Sequence, residues 1–131
     1  MPKILIVDDD DDVRRTLRRI LERDGHVVVD CANGQEALRA LTAQRPDLVI
    51  TDVYMPEMDG IEFLVALREG DPDLPVLAVS GGARNSAEFV LEDASQLGAN
   101  AVLPKPYKIE DMLTAVRDLL ALARERREQK R

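Results

Sequence analysis

Tryptophan is absent, cysteine and histidine occur once each, and aromatic residues make up 3% of the 131 residues. With Cys31 alone, neither an intramolecular disulfide nor a cysteine-based metal cage can form, and a reducing compartment is expected. His26 has no second histidine or cysteine with which to share a metal, and its place after Gly25 reads as a surface turn. Basic residues are short too: 18 Lys and Arg against 25 Asp and Glu leave a net charge of −7. A duplex-wide nucleic-acid footprint needs clustered cations to displace counterions, so no direct DNA binding is expected. Long apolar runs are also missing. Met1-Pro2-Lys3 leads into only four apolar residues before the acids begin, too few for a signal peptide or a membrane span. The expectation is a soluble, cytoplasmic protein without membrane insertion.

What remains is a chain of single-domain length, able to bury a real core. Its 45% apolar share, rich in Val, Leu, Ile and Ala, suits a sheet packed under helices. Short β-branched runs at Ile4–Val7, Val27–Val29, Leu48–Ile50, Val76–Val79 and Ala101–Leu103 read as five strands. Helical spacing lies between them, as in Val13, Leu17, Ile20 and Leu21, or Ile61, Leu64 and Leu67. Asn33-Gly34, Asp59-Gly60 and Leu97-Gly98 punctuate the pattern, and Met112 to Ala123 predicts a long fifth helix. Strict alternation with strands apolar throughout implies a parallel sheet covered on both faces, a doubly wound α/β fold. Its common five-stranded order is 2-1-3-4-5, which makes the first and third strands neighbours at the switch point where such sheets bind ligands. Residues 1–123 are read as the domain and 124–131, with five cations and two anions, as a charged helix end.

Chemistry-bearing residues gather at the strand ends. Asp8 to Asp12 follow the first strand and Asp52 follows the third. Asp10 to Asp12 suit the head of the first helix, where acids cap the backbone and complement the dipole. Asp8, Asp9 and Asp52 fit that role poorly, because clustered carboxylates raise each other's pKa unless a cation neutralises them. Magnesium, a hard ion held by one or two carboxylates plus a phosphate, is the natural partner. Ser80 after the fourth strand adds a hydroxyl and Lys105 after the fifth an ammonium. Metal, lysine and hydroxyl donor are the parts phosphoryl transfer needs against the equatorial oxygens, and Asp52 is left as the nucleophile.

Four segments together, Ile4-Leu5-Ile6-Val7-Asp8-Asp9-Asp10, Asp52 through Gly60, Val79-Ser80-Gly81 and Leu103-Pro104-Lys105-Pro106-Tyr107, resemble the receiver domains of bacterial response regulators, over about residues 3 to 122. The resemblance implies the flavodoxin-like receiver fold with five helices. It implies that Asp52 is phosphorylated, that Asp9 binds magnesium directly and Asp8 through water, and that the Tyr54 carbonyl is a further ligand, with manganese able to substitute. Ser80 would bond the new phosphoryl oxygen and Lys105 would pair with the phosphate; the Lys105-Pro106 bond would be cis. The implied partners are a histidine kinase or histidine phosphotransfer protein, docking near the first helix, and a downstream protein target met by the fourth helix, fifth strand and fifth helix. The chain is expected to be a stand-alone receiver, monomeric or weakly dimeric on phosphorylation, catalysing only its own phosphorylation and dephosphorylation.

Three departures stand out. Many receivers carry an aromatic residue three positions before the lysine, where this chain has Val102, so activation is expected through Gly81-Gly82 after the fourth strand; Tyr107 reads as ordinary packing. The stretch from Gly81 to the fourth helix is longer than usual. Tyr54 and Gly82 occupy positions that, as the resemblance implies, modulate attack by water on the phosphoryl group. Two alternatives are weighed against this reading. An aspartate-nucleophile phosphohydrolase commonly has a second Asp two residues after the nucleophile, where this chain has Tyr54. A phosphate-independent interaction module would have no need of all five site residues.

Overall fold

The structure, a computed structural model, describes residues 1–53, 60–80 and 98–129. Five strands, β1 (Lys3–Val7), β2 (Val27–Cys31), β3 (Leu48–Asp52), β4 (Val76–Ser80) and β5 (Ala101–Pro104), form one parallel sheet in the order β2-β1-β3-β4-β5. The expected sheet and strand order are both found. Helices α1 (Asp11–Arg23), α2 (Gly34–Ala43), α3 (Gly60–Gly70) and α4 (Ile109–Gln129) stand among the described residues. The helix expected between β4 and β5 lies outside them, so α4 is the helix counted fifth in the sequence.

The central strands β1, β3 and β4 alternate their side chains between two apolar layers. Leu5, Val7, Val49, Val76 and Ala78 share one core with Ala37 of α2 and Phe63, Leu64 and Leu67 of α3. Ile4, Ile6, Leu48, Ile50, Leu77 and Val79 share the other with Leu17 and Leu21 of α1 and Met112, Val116 and Leu119 of α4. Burial on both faces is why these strands are apolar throughout. Helix starts follow local chemistry: Asp10 caps α1 by accepting from the amides of Asp12 and Val13, and Asn33 caps α2 by accepting from Glu36. Asp11 and Asp12 fill the first turn of α1, as expected.

The turn into β5 is set by Arg68 of α3. Its Nε and Nη2 donate to the Gly98 carbonyl at 3.0 and 2.7 Å, and Nη2 also reaches Asn100 Oδ1 at 2.9 Å. Gly98 has φ +111°, a conformation that favours glycine, and a Cβ there would lie 2.9 Å from Arg68 Nε and push that side chain aside. Asn100 in turn accepts from the Val76 amide at 2.8 Å, which ties β5 to the start of β4.

Two details differ from the sequence reading. Asp52 and Ser80, expected just beyond their strands, are the final residues of β3 and β4, because the ladder continues through Asp52↔Val79 and Ser80↔Pro104. His26 is buried rather than at the surface, with 8% exposure. Gly25, at φ +94°, reverses the chain so that the His26 amide returns to the Leu21 carbonyl at 3.1 Å. The imidazole is thereby folded inward, with Nε2 3.4 Å from Asp24 Oδ2. Cys31 is buried, and burial pushes its thiol up to about 11. Among the described residues no helix is long and apolar enough to cross a membrane.

Phe63 and Val65 lie two positions apart on α3, the first fully buried and the second 40% exposed. Phe63→Ala should lower unfolding free energy by about 3–5 kcal/mol, whereas Val65→Ala should stay within about 0.5 kcal/mol. Urea denaturation of the two variants measures the contrast.

Candidate functional site

Because Val7 pairs with Thr51 across β1 and β3, Asp8 and Asp52 emerge one residue later at the same carboxyl edge. Ser80 pairs with Pro104, so Lys105 emerges beside them. A parallel register therefore does the gathering that the sequence spreads over almost a hundred positions.

Asp8 is held from several directions. Its amide donates to the Cys31 carbonyl at 3.1 Å, and its Oδ1 accepts from the Asp10 amide at 2.9 Å. Its Oδ2 accepts from Lys105 Nζ at 3.1 Å, and the same ammonium reaches Asp52 Oδ2 at 3.2 Å. Asp8 and Asp52 are buried, whereas Asp9 is exposed. One carboxylate oxygen from each of the three lies within 4.8 Å of the others.

Burial works against the Lys105 charge, but attraction to Asp52 and Asp8 and the two hydrogen bonds outweigh it, so its pKa lies above the usual lysine value. Tyr107 packs against the core shared by α1 and α4, consistent with ordinary packing. Burial pushes its phenol up, Lys105 opposes, and Asp8 and Asp52 add to the rise. The Lys105–Pro106 peptide is cis. Val102 is 37% exposed on β5.

The donor set suits a hard divalent cation: three carboxylates, no nitrogen or sulfur ligand, and two of the acids buried. Magnesium–oxygen bonds of about 2.1 Å put opposite ligands about 4.2 Å apart, a separation of the same order as the reach of these three acids. Asp8, Asp9 and Asp52 are thus brought together as the sequence implied, with Lys105 between two of them. Tyr54 and the Gly81-Gly82 pair lie outside the described residues, as does the side chain of Ser80.

One participant escaped the sequence reading. Arg14, in the second turn of α1, donates through Nη1 to the Asp8 carbonyl at 2.8 Å and through Nε to Asp30 Oδ2 at 3.2 Å. The available signal was Asp30 itself, an acid set inside the apolar strand Val27-Val28-Val29-Asp30-Cys31, which calls for a counter-charge from a neighbouring helix.

The family model described as the response regulator receiver domain matches residues 4–117. The chain is 42% identical over 118 residues to Response regulator MprA of Mycolicibacterium vanbaalenii, an alignment covering 90% of this chain and 50% of that protein. It is 39% identical over 119 residues to Transcriptional regulatory protein PrrA of Mycobacterium tuberculosis, covering 91% and 50% respectively. The chain spans about half the length of the curated relatives it matches. Among solved structures, chemotaxis protein CheY4 of Vibrio cholerae superposes with a TM-score of 0.81 at 30% identity, covering 91% of this chain and 98% of that one. NtrX of Brucella abortus superposes with a TM-score of 0.90 at 28% identity, covering 98% of this chain and 29% of that one.

Since the folded Lys105 binds its proton more tightly than an ordinary lysine of value 10.5, its contribution to stability is complete below that pH and is lost as pH rises through the raised value. Without magnesium, the stability difference between wild type and Lys105→Met should therefore hold at neutral pH and shrink above pH 10.5. Urea midpoints of both proteins across that range test this; a difference that persists at high pH would contradict it.

Proposed function

The chain belongs to the response regulator receiver domain family, and on that premise we propose that Asp52 accepts a phosphoryl group from a histidine kinase or histidine phosphotransfer protein in a magnesium-dependent reaction. The observation that carries this reading is the Lys105 ammonium bonded to both Asp8 and Asp52 where three carboxylate oxygens lie within 4.8 Å. A buried carboxylate at a strand end, with a cation beside it, is a nucleophile whose approach to phosphorus is electrostatically prepared.

In the proposed reaction an Asp52 oxygen forms the new bond to phosphorus while the P–N bond to the donor imidazole breaks and its electron pair stays on that nitrogen. Lys105, freed from the Asp52 carboxylate as that charge becomes an acyl phosphate, pairs with a phosphoryl oxygen. Ser80 donates its hydroxyl to another. Asp9, Asp52 and the Tyr54 carbonyl would hold magnesium directly and Asp8 would do so through water; manganese could take the same place. When bound, the ion offsets the charge that develops on the transferring group. Water later attacks the aspartyl phosphate and restores the carboxylate, so the chemistry is confined to the protein's own modification.

The receiver unit in this reading is residues 1–123, with 124–131 as a charged extension, acting in the cytoplasm. The kinase side meets the chain near α1. Output passes by protein contact through the face of β5 and α4, where Val102 and Ile109 are 37% and 54% exposed. The net charge of −7 supports contact with protein rather than with nucleic acid for this part of the molecule.

Incubation with magnesium and a small acyl phosphate should add one phosphoryl group per chain by intact mass. The gain should vanish in Asp52→Asn and in the presence of a chelator. An unmodified wild-type mass would sink the proposal, and sustained phosphate release from many phosphate esters would point to a hydrolase instead.

A further inference from the structure

Arg14 binds three acceptors with three different nitrogens: the Asp8 carbonyl at 2.8 Å, Asp30 Oδ2 at 3.2 Å and Asp11 Oδ1 at 2.5 Å. Its side chain is only 15% exposed. Asp30 is fixed from its other oxygen by Arg18 Nη1 at 2.7 Å, so the carboxylate that braces Arg14 is itself braced. The carbonyl that Arg14 holds belongs to the peptide unit joining Asp8 to Asp9, and that unit is planar and rigid. On the other side of the Asp8 Cα, the amide is fixed to the Cys31 carbonyl at 3.1 Å. Helix capping is already served by Asp10, so the Arg14 contact to Asp8 is not needed to start α1.

We propose that Arg14 is a positioning residue for the Asp8–Asp9 acid pair: by clamping the peptide between them and bracing on Asp30, it aims both carboxylates at a shared divalent cation. The assignment rests on the reading of that pair as a magnesium site. Supporting groups that orient ligands are worth about 10–100-fold in metal affinity. A Lys ammonium cannot span a carbonyl and two carboxylates as a planar guanidinium does.

The sign of the effect separates positioning from charge. A cation near a cation site repels the incoming ion, so if Arg14 acted only through its charge, removing it would tighten magnesium binding. Positioning requires the reverse. Calorimetric titration of the full chain with magnesium chloride, alongside thermal unfolding without magnesium, should give a Kd raised about tenfold in R14M with unfolding still cooperative. R14K, which keeps the charge, should also bind more weakly than wild type. R18M, which loosens Asp30 but leaves the Arg14 bond to the Asp8 carbonyl in place, should weaken binding less than R14M.

Binding by R14M as tight as wild type or tighter would overturn the assignment, as would an unchanged Kd in R14K or equal weakening in R18M. If R14M does not fold, R14K decides alone. A wild-type chain that binds no magnesium would overturn both the assignment and the metal site beneath it, whereas normal wild-type binding with unaffected variants would overturn the role of Arg14 only.

Discussion

Asp8 and Asp52 are buried next to each other at the end of a sheet, where two enclosed negative charges repel each other and each calls for a partner. Lys105 resolves that conflict by bonding both. The rest of the edge follows from the need to deliver this ammonium to that place. β5 has to end beside β4, β4 beside β3, and the turn at Gly98 has to hold β5 in register, which is the work of Arg68 and Asn100. Each of these contacts lies far from the carboxylates in sequence, and each has its end result at Lys105 Nζ.

The same arrangement explains how a small domain keeps a concentrated charge cluster without losing its fold. Among the described residues apolar layers lie on either side of the sheet, so the acids sit at its carboxyl edge instead of interrupting a core. Asp9 remains exposed while Asp8 and Asp52 are enclosed. The site is thus graded from a solvent-facing carboxylate to two enclosed ones. The division of the five-acid run follows naturally: Asp10, Asp11 and Asp12 serve the helix, and Asp8 and Asp9 serve the edge.

Much of this was legible from residue order. The five strands, their alternation with helices, the carboxylates at two strand ends and the lysine at a third were all readable because a doubly wound sheet writes itself as repeated apolar runs ending in polar residues. Less legible were features that depend on a side chain meeting a distant partner. His26 looked like a turn residue because its neighbours, Asp24 and Gly25, are turn formers; the positive φ of Gly25 is what folds the ring inward. Arg14 carries no local sign of its contacts, which exist only because the fold places Asp30 and the Asp8 carbonyl beside it.

Sequence alone determined that Asp8, Asp9, Asp52 and Lys105 would stand at strand ends, since local apolar runs fix where strands stop and the parallel fold fixes which end faces the ligand. It did not determine how far the strands run, and Asp52 proved to be the last rung of β3 instead of the first residue of a loop. Only the tertiary structure decided that one ammonium lies between two of the acids and that a guanidinium grips the peptide between Asp8 and Asp9. The physical reason is range: a hydrogen bond needs donor and acceptor about 3 Å apart, and whether Lys105 comes that close to an acid 97 positions away is settled by the strand register and by no local pattern.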